Sequence, residues 1–391
     1  MNSFKNLYKK YLLDTYKREG SAFVKGKGSW LWNEKGKCFL DLFPGWGVSI
    51  LGHCHPQIIK VIKEQSQRLI HLPNNLYHKE QVLLAKEIVK NAFSSKVFFA
   101  NSGAEAVEAA IKFSRLYGKG KRFEIITMKN SFHGRTFGAL SATGQKKYKN
   151  FFKPLLPKFK ETRLNDFDDF KRKISSKTVG VILELIQGEG GINIVNKDYV
   201  KKVRDYCQRY DMLFIVDEIQ TGMGRTSKLF CYQHYGIIPD IMLLSKGLGA
   251  GFPVSAILIK KEIADIIKPG MHASTFGGSP LASRVAYEVF KIIKKEKILE
   301  NVKKQGEYLK EKLEEFKNKF SFVKEIRGMG LMVGIELKFD AYPVFLQCLE
   351  KRLIINSTHK TVLRIMPALN VKREELDKGL DILEKVFKRY K

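Results

Sequence analysis

Between about residues 56 and 269, short apolar runs alternate with helical segments, and that alternation constrains the fold of this 391-residue chain more than any other feature. Segments 97–100, 124–128, 179–185, 213–216, 241–244 and 254–259 read as buried strands. Helical patterns intervene: Tyr199, Val200, Val203, Tyr206 and Cys207 recur on one helical face. Strands separated by helices predict parallel pairing with crossover helices, an α/β fold. After residue 270 the character changes. A long charged helical stretch over 281–320 leads to Ile326-Arg-Gly-Met-Gly-Leu-Met-Val-Gly-Ile-Glu-Leu and a last helix. The expected division is a large domain over 56–270, with 1–55 and 271–391 joining in a smaller α+β domain. No internal repeat or low-complexity tract interrupts this pattern.

Hydrophobic residues make up 44% of the chain, enough for a sizeable core. No run approaches the roughly 18 apolar residues of a membrane helix, and the opening apolar run, Tyr11-Leu-Leu, is too short for a signal peptide. Cys38, Cys54, Cys207, Cys231 and Cys348 are odd in number and never spaced as Cys-x-x-Cys, which fits reduced thiols in a cytoplasmic protein. His53-Cys54-His55 has no third ligand at suitable spacing, so no metal is expected. The net charge of +30 is the one feature that points toward polyanions. The lysines are spread along the whole chain, without an aromatic–basic recognition motif, so nucleic acid is not expected as a partner.

The informative residues follow strand ends. Lys246 follows the apolar run at 241–244 and opens Lys246-Gly-Leu-Gly-Ala-Gly, a lysine set in backbone that packs closely around a flat ring. Asp217 ends the run at 213–216 with a carboxylate. A lysine for a Schiff base and a carboxylate for a pyridine nitrogen are what pyridoxal 5'-phosphate needs to act as an electron sink. Asn101-Ser-Gly-Ala104 opens a helix whose first amides suit a phosphate. In Phe132-His-Gly-Arg135-Thr, the phenylalanine suits stacking on a planar ring and the arginine suits a carboxylate. Gln187-Gly-Glu189-Gly-Gly is a glycine loop carrying an acid, and Ser274-Thr275-Phe-Gly-Gly offers hydroxyls for a phosphate. Arg364 sits in an apolar run, where a charge needs a partner or a ligand. Taken singly, each of these is more often a turn, a cap or a surface charge. Ligands bind at the carboxyl edge of an open parallel sheet, so strand-end placement makes the motifs converge.

Asn-Ser-Gly-Ala-Glu, Ser-Phe-His-Gly-Arg-Thr, Ile-Gln-Gly-Glu-Gly-Gly, Asp-Glu-Ile-Gln-Thr-Gly and Ser-Thr-Phe-Gly-Gly occur in this order. With Leu51-Gly-His-Cys-His-Pro and Leu363-Arg-Ile-Met-Pro, they make essentially the whole chain resemble the class III aminotransferases, and among them the acetylornithine aminotransferases. The resemblance implies fold type I, with a mostly parallel central sheet flanked by helices in the large domain. It implies that Lys246 carries the cofactor and moves the substrate proton, Asp217 meets the pyridine nitrogen, Gln220 lies against the ring hydroxyl and Phe132 stacks on the ring. Gly103 and Ala104 would bind the phosphate, and Thr275 would complete that site across a homodimer interface. Arg135, with Ser274 nearby, would hold the α-carboxylate of N-acetylornithine. Arg364 would bind that of glutamate or 2-oxoglutarate, with Glu189 pairing to Arg364 for the other substrate.

Trp46, Ala104, Leu185 and Ala250 depart from the family pattern, and none belongs to the catalytic set. Trp46 stands near the implied substrate pocket. Alternatives on the same scaffold are an aminotransferase acting on ornithine, succinyl-diaminopimelate, 4-aminobutyrate or carrier-linked lysine. From another class, the charge allows a nucleic-acid-binding protein that has lost activity; the retention of Lys246, Asp217 and Arg364 argues against it.

Overall fold

The computed structural model describes residues 4–390. Residues 1–3 and 391, assigned above to the smaller domain, lie outside the described residues. A seven-stranded sheet forms the centre. Its strands, in chain order, are β1 (Ser95–Ala100), β2 (Glu124–Met128), β3 (Phe159–Thr162), β4 (Thr178–Leu183), β5 (Leu213–Asp217), β6 (Ile241–Leu244) and β7 (Ser255–Lys260). Their spatial order is β1-β7-β6-β5-β4-β2-β3. Strands β2 to β6 pair in parallel, whereas β7 is antiparallel to both β6 and β1.

The sheet is mostly parallel, as expected, and β7 is its one antiparallel strand. Only ten residues separate β6 from β7, too few for a crossover helix, so the chain returns antiparallel. Strand β3 escaped the sequence reading because Phe-Lys-Glu-Thr at the sheet edge carries no apolar run. The charged stretch at 281–320 is two helices, Pro280–Lys295 and Ile298–Lys319, broken at Lys297, whose φ is +50°.

Alternate residues of the central strands feed two cores. Leu213, Ile215, Leu243 and Ile257 pack with Ala106, Val107, Ala110 and Phe113 of the helix Gly103–Tyr117. Phe214, Val216, Leu244 and Leu258 pack on the other side with Val200 and Val203 of the helix Lys197–Arg209 and with Val285 and Val289. Burial of both faces explains why the strands read as continuous apolar runs.

The segment before residue 56 forms strands Phe23–Lys27, Trp30–Asn33 and Cys38–Asp41, and Leu353–Ile354 adds in parallel to the last of these. The remaining C-terminal strands, Val323–Met329, Met332–Leu337, Asn356–Thr358 and Val362–Ile365, make an antiparallel sheet. Among the described residues, no helix is long and apolar enough to cross a membrane, and no cluster of three metal-ligating side chains occurs.

Candidate active site

The carboxyl ends of β2, β4, β5 and β6 open onto a pocket of about 270 Å³. It is lined by Gly103, Ala104, Phe132, Arg135, Glu189, Asp217, Gln220 and Lys246, all singled out in the sequence. His133, Glu184, Ile186, Ile219 and Thr221 add charged, apolar and hydroxyl groups to the lining.

Asp217 ends β5, and its Oδ1 accepts from the Ile219 amide at 3.0 Å. Its Oδ2 lies 2.7 Å from Nδ1 of His133, whose side chain is fully buried. Burial alone would lower the His133 pKa, but the hydrogen bond and charge of Asp217 raise it overall. The histidine's Nε2 has no hydrogen-bond partner among the described residues. Glu184, just past β4, accepts from the Phe132 amide at 2.9 Å. Burial, reinforced by the charge of Asp217, pushes Glu184 up to about 7. Glu184, beside Asp217, is thereby poised to exchange a proton near neutral pH.

Lys246 stands two residues past β6 with φ at +41°, a conformation a non-glycine residue holds only where its surroundings impose it. Burial lowers its pKa, and Arg364 adds to that, while Glu189, Asp217 and Glu184 oppose it. A lowered ammonium pKa leaves more free amine for attack on an aldehyde.

The helix Gly103–Tyr117 starts at Ser102, whose Oγ accepts from the Glu105 amide at 3.2 Å, while Glu105 accepts from the Asn101 amide at 2.9 Å. Gly103 and Ala104, at the first helical turn, have amides without intrahelical acceptors. A Cβ on Gly103 would sit 3.0 Å from Ile219, so the glycine keeps that wall open.

Arg364 reaches the site from the strand Val362–Ile365 and is fully buried. Its Nη1 lies 2.8 Å from Glu189 Oε1 and donates to Gly188 O at 2.9 Å and, at 3.4 Å, to Gln220 Oε1. Nη2 and Nε donate to Asn356 Oδ1 at 2.8 and 3.2 Å, and the guanidinium stands 4.7 Å from the centre of the Phe43 ring. Burial works to raise the Glu189 pKa, but Arg364, with Lys246 and Lys147, holds it below the ordinary carboxylate value. A Cβ on Gly188 would fall 1.7 Å from Gln220 Oε1, so only glycine lets Gln220 and Arg364 approach.

The two hydroxyl residues lie elsewhere within one chain. Ser274 Oγ accepts from Asn101 Nδ2 at 3.3 Å and from the Gly277 amide at 3.1 Å, and Thr275 is exposed. Trp46, half-exposed with φ at +57°, meets the Phe43 ring edge-on at 6.5 Å.

The sequence reading gave no role to His133, Glu184, Asn356 or Phe43. His133 lies within the motif Phe132-His-Gly-Arg-Thr and Glu184 next to the end of the strand expected over 179–185, so both carried a signal. Asn356 and Phe43 meet Arg364 only through the fold. The donor set fits pyridoxal phosphate: an amine, a carboxylate braced by a buried histidine, and free helix-start amides surround one pocket.

Residues 15–387 match the family model described as aminotransferase class-III. The chain is 51% identical over 384 residues to the acetylornithine aminotransferase of Caldanaerobacter subterraneus, covering 97% of this chain and 98% of that protein. It is 41% identical to the acetylornithine/succinyldiaminopimelate aminotransferase of Buchnera aphidicola from Schizaphis graminum, covering 95% and 94% of the two chains. Among solved structures, the ornithine aminotransferase of Toxoplasma gondii ME49 superposes with a TM-score of 0.94 at 31% identity, over 99% of this chain and 94% of that one. The acetylornithine aminotransferase of Elizabethkingia anophelis gives a TM-score of 0.88 at 30% identity, over 99% and 98%. With this pocket and these relatives, the chain belongs to the class-III aminotransferases, which are pyridoxal phosphate-dependent transaminases.

Proposed function

We propose that the chain is an acetylornithine aminotransferase of arginine biosynthesis. It transfers the δ-amino group of N2-acetyl-L-ornithine to 2-oxoglutarate in a ping-pong cycle, yielding N-acetyl-L-glutamate 5-semialdehyde and L-glutamate. The observation that carries this reading is the Glu189–Arg364 pair beside Lys246, at 2.8 Å in a buried setting. One pocket must accept a dicarboxylate in one half-reaction and an ω-amine in the other. A buried cation neutralised by an acid on a glycine loop meets both demands.

When bound, pyridoxal phosphate supplies an electron sink for the charge left on a carbon that loses its proton. In this reading Lys246 holds the cofactor and its Nζ removes the proton from the substrate δ-carbon. Asp217, oriented by His133, holds its charge against the ring nitrogen. Phe132 covers the ring, Gln220 meets its hydroxyl, and Gly103 and Ala104 hold the phosphate. Arg135, joined by Ser274 of the second copy, binds the α-carboxylate of acetylornithine, while Glu189 covers Arg364. With glutamate or 2-oxoglutarate, Glu189 withdraws and Arg364 takes the α-carboxylate. Arg364 belongs to the smaller domain, 1–55 with 271–391, and the other site residues to the large domain, except for Ser274 and Thr275, which lie just past its end.

The working unit in this reading is a cytoplasmic homodimer. The exposed Thr275 reaches the phosphate site of the second copy, and the exposed Leu76, Tyr77 and Phe276 are covered there. A dual activity on succinyl-diaminopimelate is the second reading, favoured by the doubly named Buchnera relative.

Absorption spectra of the purified holoenzyme, titrated in parallel with N-acetylornithine and ornithine, test the assignment. Bleaching of the cofactor band by N-acetylornithine at far lower concentration, with recovery on adding 2-oxoglutarate, is the expected result. A band that responds only to another amine replaces the substrate.

A further inference from the structure

Arg135 lines the pocket, yet its guanidinium makes no salt bridge among the described residues. Aromatic rings hold it instead. Its Cζ stands 3.8 Å from the centre of the Tyr148 ring and 5.7 Å from that of Phe132. The two rings meet at 79° with centres 5.8 Å apart, so Tyr148 supplies the close face and Phe132 backs it at right angles. Tyr148 lies on the short helix Lys146–Lys149 and is half-buried. That helix is tied down on both sides. Gln145 Nε2 donates to Asn130 O at 3.2 Å, and Lys149 pairs with Glu161 of β3 at 2.8 Å.

All five N–H bonds of a guanidinium lie in its plane, and a carboxylate binds along an edge. A ring stacked on the flat face therefore occupies the side that makes no hydrogen bonds and leaves the edges free. It also restricts a long side chain that would otherwise sample many rotamers in an exposed setting.

We propose that Tyr148 is a positioning residue: it clamps the Arg135 guanidinium so that an edge faces the pocket, and it thereby sets the preference for ω-amines that carry a carboxylate over those that do not. Lys147, 4.7 Å from the same ring and acting electrostatically on Glu189, adds positive charge to the same region. This rests on the reading of Arg135 as the carboxylate site of an ω-amine transaminase. It adds a residue that the motif itself does not contain.

The test compares kcat/KM for N-acetylornithine with that for N-acetylputrescine, the same amine without the carboxylate, using holoenzyme of wild type, Y148L and Y148F. Loss of a solvent-exposed cation–π contact predicts that the preference falls roughly two- to fivefold in Y148L, nearly all of it in N-acetylornithine KM. Y148F keeps the ring face and should keep most of the preference. Equal losses on both amines in Y148L would make Tyr148 a structural residue and overturn the proposal, as would an unchanged ratio. If wild type prefers another ω-amino acid, the acetylornithine reading fails by itself. The same ratio for that donor and its decarboxylated analogue then decides the role of Tyr148. A wild type that favours carboxylate-free amines overturns both.

Discussion

Replacing Glu189 with glutamine tests the logic of the shared pocket most directly. Arg364 is fully buried, and the Glu189 side chain is 19% exposed. With a charge separation of roughly 4 Å and an effective dielectric near 20, the attraction is about 4 kcal/mol. The carboxylate's own desolvation offsets part of it. Asn356, Gly188, Gln220 and the Phe43 ring continue to hold the guanidinium after the change. Glutamine also preserves the volume and one hydrogen bond. What disappears is the competition that an incoming α-carboxylate must overcome, a net of about 1.4 kcal/mol or more, or roughly tenfold.

The expectation is therefore that E189Q raises kcat/KM for glutamate as amino donor at least about tenfold. The value for N-acetylornithine should stay the same or fall, because Arg364 is then left uncovered while that substrate binds. Single-turnover half-reactions, followed by cofactor absorbance with each donor alone, separate the two effects. Equal changes for both donors, or a larger loss with glutamate, would refute the argument that Glu189 and the α-carboxylate compete for Arg364. The pair also carries an acid signature. Because the Glu189 pKa is depressed, its stabilising contribution is present above the ordinary value of 4.5 and disappears as pH falls through the lower folded value. Acid-unfolding curves of wild type and E189Q should accordingly converge on acidification.

Three further outcomes follow from the same geometry. Lys246→Ala removes the amine that carries the cofactor and the proton, so turnover should fall by at least about 10³-fold while the fold, read by circular dichroism, persists. Glu184 titrates at about 7 in the folded chain, so the stability tied to its neutral form is complete below its unfolded value and is lost as pH rises through about 7. In Glu184→Gln, stability measured by urea titration should lose that decline between about pH 5 and 8; an identical pH slope would show that the buried carboxyl is already ionised. Gly188→Ala should weaken glutamate binding with little loss of stability, since its Cβ would push the flexible end of Gln220 away from Arg364. A wild-type glutamate KM in that variant would contradict the packing argument.

Sequence alone fixed those parts of this protein that depend on short-range chemistry. Apolar runs long enough to be buried on both faces specified six strands of the central sheet. The residues just past them, Gly103, Phe132, Arg135, Asp217 and Lys246, were legible because ligands gather at strand ends, whereas the role of Gln220 came only through resemblance. Strand β3 was not legible, because an edge strand needs no apolar run. The reversal of β7 turned on the shortness of a connection rather than on composition. The Glu189–Arg364 pair was foreseen only through resemblance, since 175 residues and a second sheet separate its members. Tertiary structure alone decided the rest: the His133 brace on Asp217, the near-neutral Glu184, the Asn356 and Phe43 contacts to Arg364, and the Tyr148 face on Arg135. Each depends on burial or on the approach of side chains distant along the chain. Periodicity records which face a residue occupies; the partner it meets there, and the proton it consequently holds, are set by packing.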